Sequence, residues 1–171
     1  MPFLIPWTDR PPAEVARGVV QYHWQALGSW TPGEWQLDLV VFHDGVVVGQ
    51  QTVSGHDFAV TREVHTGSWV GRGYQGKGIG TEMRAAVLHL AFAGLGAEVA
   101  ASSAFEDNAA SLAVSRKFGY RPDGVSRRMV RGKLAIEHRQ RLTRPDWEAH
   151  RDVPVTIEGL APCLPLFGLP T

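Results

Sequence analysis

The chain has 171 residues, with 17 basic side chains against 17 acidic ones and one cysteine, Cys163. That length suits one domain with a real core, and the balanced charge argues against nucleic acid or a lipid surface as the main partner. One cysteine excludes an internal disulfide, no apolar run is long enough to span a bilayer, and no signal pattern opens the chain, so the sequence predicts a cytoplasmic protein.

Residues 1–12 form an arm rich in proline and aromatics, with Phe3, Ile5, Pro6, Trp7, Pro11 and Pro12. Such density of large apolar groups predicts order rather than a disordered tail. Thr8 or Asp9 could cap a helix over Ala13–Leu27, with Val15, Val19, Tyr22, His23 and Leu27 on one side. Alternation in Trp35–His43 predicts a strand, and Asp44-Gly45 a hairpin turn into a second strand at Val46–Val53. Ser54–Thr61 is polar and reads as a connection, and Arg62–Val70 as a third strand.

A glycine-rich loop follows from Gly71 to Gly80. Then Ile79, Met83, Ala86, Val87, Leu90 and Ala91 recur at helical spacing. Gly76, Gly78 and Gly80 sit where that helix starts. The first amides of a helix lack intrahelical partners and carry partial positive charge, so bare backbone there suits an anion, in particular a pyrophosphate. The G-x-G-x-x-G match at Gly71–Gly76 lacks the context of a dinucleotide fold, because the helix starts after it and Glu98 falls at the start of the next strand. A plain tight turn is the bland alternative.

Ala97–Ser102 reads as a short buried strand, Asn108–Lys117 as a helix ended by Gly119, and Val125–Arg131 with Lys133–Leu142 as a hairpin. Pro145–His150 is a short helix, and the proline-rich residues 151–171 read as an extended segment on the surface. The resulting fold class is α/β (α+β), a mostly antiparallel sheet with one internal parallel crossover. No histidine, carboxylate or Cys163 grouping has metal-site spacing, so no metal is expected.

Gln75-Gly76-Lys77-Gly78-Ile79-Gly80 resembles the acyl-CoA pyrophosphate loop of the GNAT N-acetyltransferase superfamily. Trp69-Val70-Gly71, Thr81-Glu82, Asp107-Asn108-Ala109-Ala110-Ser111 and Arg116-Lys117-Phe118-Gly119-Tyr120 resemble its Rim-type branch, whose prototypes acetylate ribosomal-protein N-termini. The resemblance runs from about Trp35 to His150. An actinobacterial subset, with some members using succinyl-CoA, also resembles the arm and Leu160-Ala161-Pro162.

The resemblance implies a GNAT fold over residues 1–150, splayed at a central parallel pair, with helices on both faces and 151–171 packed on it. It implies an N-acyltransferase that takes acetyl-CoA, or else succinyl-CoA, and acylates a small-molecule or peptide amine. Gln75, Gly76, Lys77, Gly78, Ile79, Gly80 and Thr81 would meet the CoA pyrophosphate. Trp69 and Val70 would offer backbone partners to pantetheine, with an amide near Val70 polarising the thioester carbonyl. Asn108 would reach the pantetheine arm, cap the second helix, or do both. Ser111 matches the serine proposed to protonate the leaving thiolate.

Rim-type enzymes often carry a glutamate base on the strand before the loop; here His65 stands at that position. Histidine's ordinary pKa, about 6.5, suits a base at neutral pH. Glu63 on the same strand face competes with it, and water-relayed deprotonation is the third reading. Family members usually open with a strand and helix that nothing here matches. The edge so exposed beside Trp35–His43 would be covered by the arm, by the tail, or by another subunit in a homodimer, or else the chain is a shortened version of a longer product. A protein that holds CoA without turnover is the rival reading.

Overall fold

The computed structural model describes residues 4–170. After a 3-10 turn at Trp7–Asp9, helix α1 spans Pro12–Gly28. Neither Thr8 nor Asp9 caps it; Pro11 is the cap residue and Pro12 opens the first turn, where a missing amide costs nothing. The expected apolar side of α1 is not buried: Val19, Tyr22 and Leu27 are all exposed.

Strands β1 (Glu34–His43) and β2 (Val46–His56) form a hairpin around Asp44 and Gly45, at φ of 50° and 76°. That mirror-image turn matches the natural twist of the strands. β2 continues through the polar residues Ser54–His56, and a short helix α2 (Phe58–Thr61) replaces the expected connection, with Phe58 fully buried. Gly55 is needed in β2 because a Cβ there would lie 2.5 Å from the Trp35 ring.

Strand β3 (Glu63–Val70) leads through the glycine loop to α3 (Ile79–His89), which a π-helical turn extends over Leu90–Gly94. Strand β4 (Val99–Phe105), helix α4 (Ala109–Lys117), strands β5 (Arg121–Val130) and β6 (Lys133–Thr143), and helix α5 (Arg144–His150) complete the order. β4 starts later than residue 97 because the Ala97 and Glu98 amides donate to Ala91 and Arg62 carbonyls instead.

The six strands lie in the order β1-β2-β3-β4-β6-β5, and only β3 and β4 run parallel. This is the mixed α/β architecture the sequence predicts. α3 buries Ile79, Met83 and Val87 as expected, and Leu88 besides, but Ala86 is exposed and Arg84 is 4 % exposed. Arg84 is held in the seam with α4, donating to Ser115 Oγ at 3.4 Å and lying 5.6 Å from the centre of the Tyr120 ring.

The tail is not extended throughout. Ala161–Phe167 is a 3-10 helix, and Phe167 and Leu169 belong to the main core. The Phe167 ring stands 4.8 Å from Trp35 and 5.4 Å from Trp30, whose Nε1 donates to Leu166 O at 2.8 Å. Among the described residues the sheet ends at β1, and neither arm nor tail adds a strand there. Met1–Phe3 lie outside the described residues.

Three carboxyls sit below their ordinary range. Hydrogen bonds from Arg131 to Asp9, and from Thr143 and Arg121 to Asp146, hold both down. Burial would push Glu137 up, but hydrogen bonds from Ser103 and Arg128 outweigh it. A carboxyl lowered on folding stabilises above its unfolded value, here 3.8 or 4.5, and the gain is lost as pH falls through the folded value. The urea midpoint should therefore hold from neutrality to about pH 5 and fall below about pH 4. A midpoint unchanged at about pH 3 would contradict this.

Candidate functional site

β3 and β4 separate halfway along. Their parallel ladder runs only from Glu63↔Val99 to Thr66↔Ser102. Beyond that point β3 stays with β2 as far as Val70↔Gly49, and β4 stays with β6 as far as Phe105↔Glu137. The result is a V between them, pinned at its apex by Ser102 Oγ donating to Thr66 O at 3.2 Å. Gly71 N donates to Val48 O, so by strand alternation Val70 turns its peptide groups to the opening, whereas Trp69, against expectation, turns its own to β2. Val70 O already accepts from Gln75 Nε2 at 2.9 Å.

The glycine loop stands at the mouth of that V. Gly76 and Gly78 adopt φ of 75° and 86°, which side chains resist. A Cβ built at Gly76, Gly78 or Gly80 would meet nothing within 4 Å. The amides of Thr81 and Glu82 donate to Gly78 O at 2.8 and 3.1 Å. Among the described residues, those of Gly76, Lys77, Gly78, Ile79 and Gly80 have no backbone acceptor. Five unpaired donors at the positive end of α3 make a nest for an anion. Ile79 anchors the loop by packing with Val48 and Met83, while Lys77 Nζ lies 5.3 Å from the centre of the Tyr74 ring.

The second helix start flanks the same opening. Asn108 caps α4, its Oδ1 accepting from Ser111 N at 3.1 Å. Its side-chain NH₂ group and the Ser111 hydroxyl have no partner among the described residues.

The sheet face away from α3 carries His65, Gly67 and Trp69. The two candidate bases differ in their surroundings. Both Glu63 oxygens accept from Arg141, at 2.9 and 3.3 Å. The His65 side chain is 67 % exposed, with Nε2 3.8 Å from Glu63 Oε1. The arm crosses this face: Trp7 lies 6.2 Å from the Trp69 ring, and Asp9 takes two hydrogen bonds of 2.7 Å from Arg131 in the β5–β6 turn.

One group on this face escapes the sequence reading. Asp38, with a side chain only 6 % exposed, accepts from Gln50 and Thr52 at Oδ1 (2.8 and 2.6 Å) and from Gln36 at Oδ2 (2.9 Å). Gln36 also donates to the Tyr22 hydroxyl, and burial together with the Asp38 charge pushes that phenol up. The polar alternation of β1 marks Asp38 as sharing a face with Gln36, but nothing local places α1 above it.

This arrangement can hold an anion at the loop and an extended chain in the V, open to the face of His65. Among the described residues, no His, Cys, Asp or Glu group could hold a metal ion, and no helix is long and apolar enough to cross a membrane.

A family model described as "Acetyltransferase (GNAT) domain" matches residues 1–121. The chain is similar to Mycobacterium smegmatis RimJ, solved with CoA-disulfide, at 26 % identity and a TM-score of 0.61, over 65 % of this chain and 54 % of that one. It is similar in fold to spermidine N-acetyltransferase SpeG from Vibrio cholerae, at 12 % identity and a TM-score of 0.65, over 77 % and 76 % of the two chains. An N-acetyltransferase from Staphylococcus aureus Mu50 aligns at 16 % identity and a TM-score of 0.61, over 75 % and 76 %.

Proposed function

Because the chain belongs to the GNAT acetyltransferase family, we propose that it moves an acetyl group from acetyl-CoA to a primary amine, with succinyl-CoA as the alternative donor. One observation carries this reading: five unpaired amides stand in front of a gap between two parallel strands. A CoA thioester fits both parts, a diphosphate on the amides and an extended pantetheine along the gap. Bound there, it supplies the activated acyl carbon. The names of the neighbours support an amine acceptor.

In this reading the amides from Gly76 to Gly80 hold the diphosphate, flanked by Gln75, Lys77 and Thr81. Val70 turns its amide to the thioester carbonyl and stabilises the oxyanion, while Trp69 supports the strand from its far side. The free NH₂ of Asn108 meets pantetheine while its oxygen caps α4. His65 takes the proton from the attacking amine, since both Glu63 oxygens are engaged by the Arg141 cation. Nitrogen bonds to the acyl carbon, the carbon–sulfur bond breaks, and Ser111 returns a proton to the departing sulfur.

His65→Gln should lower kcat about a hundredfold with little change in KM for acetyl-CoA. Glu63→Gln should cost less than tenfold in the same thiol-release assay. Equal losses would move the base to Glu63, and no loss in either would leave deprotonation to water. The engaged state of Glu63 favours one second reading, a protein that holds CoA without turnover. CoA-induced thermal stabilisation with no amine-dependent thiol release would select it.

A further inference from the structure

Every other carboxylate that is ion-paired and less than a third exposed has an arginine: Glu63 has Arg141, Glu137 has Arg128 and Asp146 has Arg121. Asp38 is the most buried of all and has none. Its three hydrogen-bond donors, Gln36, Gln50 and Thr52, are neutral. Among the described residues the one basic group in reach is His23, with Nδ1 3.5 Å from Oδ2, too long for a hydrogen bond. Oδ1 has two donors and Oδ2 one, so a lone pair of Oδ2 is unused. A nearly buried negative charge without a countercharge is costly, and an arriving cation would offset that cost. The side chains that cover it, His23 and Tyr22, are themselves 35 % and 47 % exposed.

The position of Asp38 relative to the V is set by the strand register. Asp38 pairs with Thr52, and Thr52 with Gly67, the first β3 residue beyond the parallel ladder. All three lie on the face of His65 and Trp69. Two strand spacings separate Asp38 from Gly67, about 10 Å.

We infer that Asp38 takes a second ammonium group of the acceptor, so that the substrate class is a diamine or polyamine. Its reacting nitrogen lies at the V, and its other charge lies two strands away at Oδ2. The two ends then see opposite demands. The nitrogen at His65 must lose a proton to react, whereas the nitrogen at Asp38 is held in its charged form. A spacing of about 10 Å between them keeps their mutual repulsion small. The inference rests on the acyltransferase reading for the position of the reacting end, but not for the charge at Asp38.

The test measures binding rather than turnover. Diaminobutane, diaminohexane, diaminooctane and hexylamine are titrated calorimetrically into the CoA-loaded protein. Wild type should bind the best diamine at least about tenfold more tightly than hexylamine, with the longer diamines ahead of diaminobutane. Asp38→Asn, close in shape but uncharged, should bring the diamines down to the monoamine level. Equal affinities in wild type would overturn the inference without any variant, as would a diamine preference that survives Asp38→Asn. Thiol release is assayed in parallel: diamines that bind through Asp38 but are never acetylated would sink the transferase reading and leave the Asp38 site standing.

Discussion

Gly80→Val is expected to leave the apo fold as stable as wild type and to remove the stabilisation that CoA confers. The position has no positive φ, and a Cβ there meets nothing within 4 Å. It also lies in the first turn of α3, where any residue with a side chain loses less backbone entropy than glycine. Folding therefore has no objection to the valine. The ligand does, because the added carbons occupy the space in front of the unpaired amides. An affinity about a hundredfold lower would remove about 2.7 kcal/mol of linked stabilisation at saturating CoA. The check is differential scanning with and without CoA. A full CoA-induced shift in Gly80→Val would mean that the diphosphate lies elsewhere. Gly78→Ala is a poorer probe, because at φ 86° it strains the backbone with or without ligand.

Phe167→Ala is expected to cost about 3–5 kcal/mol, the usual range for emptying a buried aromatic site. The residue is 3 % exposed and its ring meets both Trp30 and Trp35 edge-on. Trp35 in turn touches Phe58 at 5.6 Å, so the cavity would open between the tail, β1 and α2. For a chain of this length the thermal midpoint should fall by about 10 °C. A fall of less than about 2 °C would mean that the tail lies on the domain without completing its core.

What could be read from the chain follows the range of each signal. Asp44-Gly45 and Gly119 mark their turns because glycine chemistry is local. The start of α3 is legible because Ile79, Met83 and Val87 repeat at helical spacing and are buried. The loop is legible from its glycines, two of which adopt positive φ. The exposure of Ala86 and the burial of Arg84 and Phe58 depend on which neighbour arrives, and only the fold supplies that. α1 shows the converse: Val19 and Leu27 of its apolar side stay exposed, while Tyr22 and His23 meet Gln36 and Asp38 of β1. Asp38 is the clearest case: its shell comes from α1, β1 and β2, and no window of sequence contains all of it. Likewise Arg141, which decides what Glu63 can do, lies 78 positions away.

The arm has a mechanical consequence. It touches β3 through Trp7 on Trp69 and reaches the β5–β6 turn through Asp9 on Arg131, so it joins the two limbs of the V beyond their open end. Spreading the limbs must stretch this crosspiece, like a truss tied at its feet. The fastening at Asp9 is a solvent-facing charge pair, which dissolved ions weaken. The width of the jaw, unlike the grip of the backbone nest, is therefore a property that salt loosens.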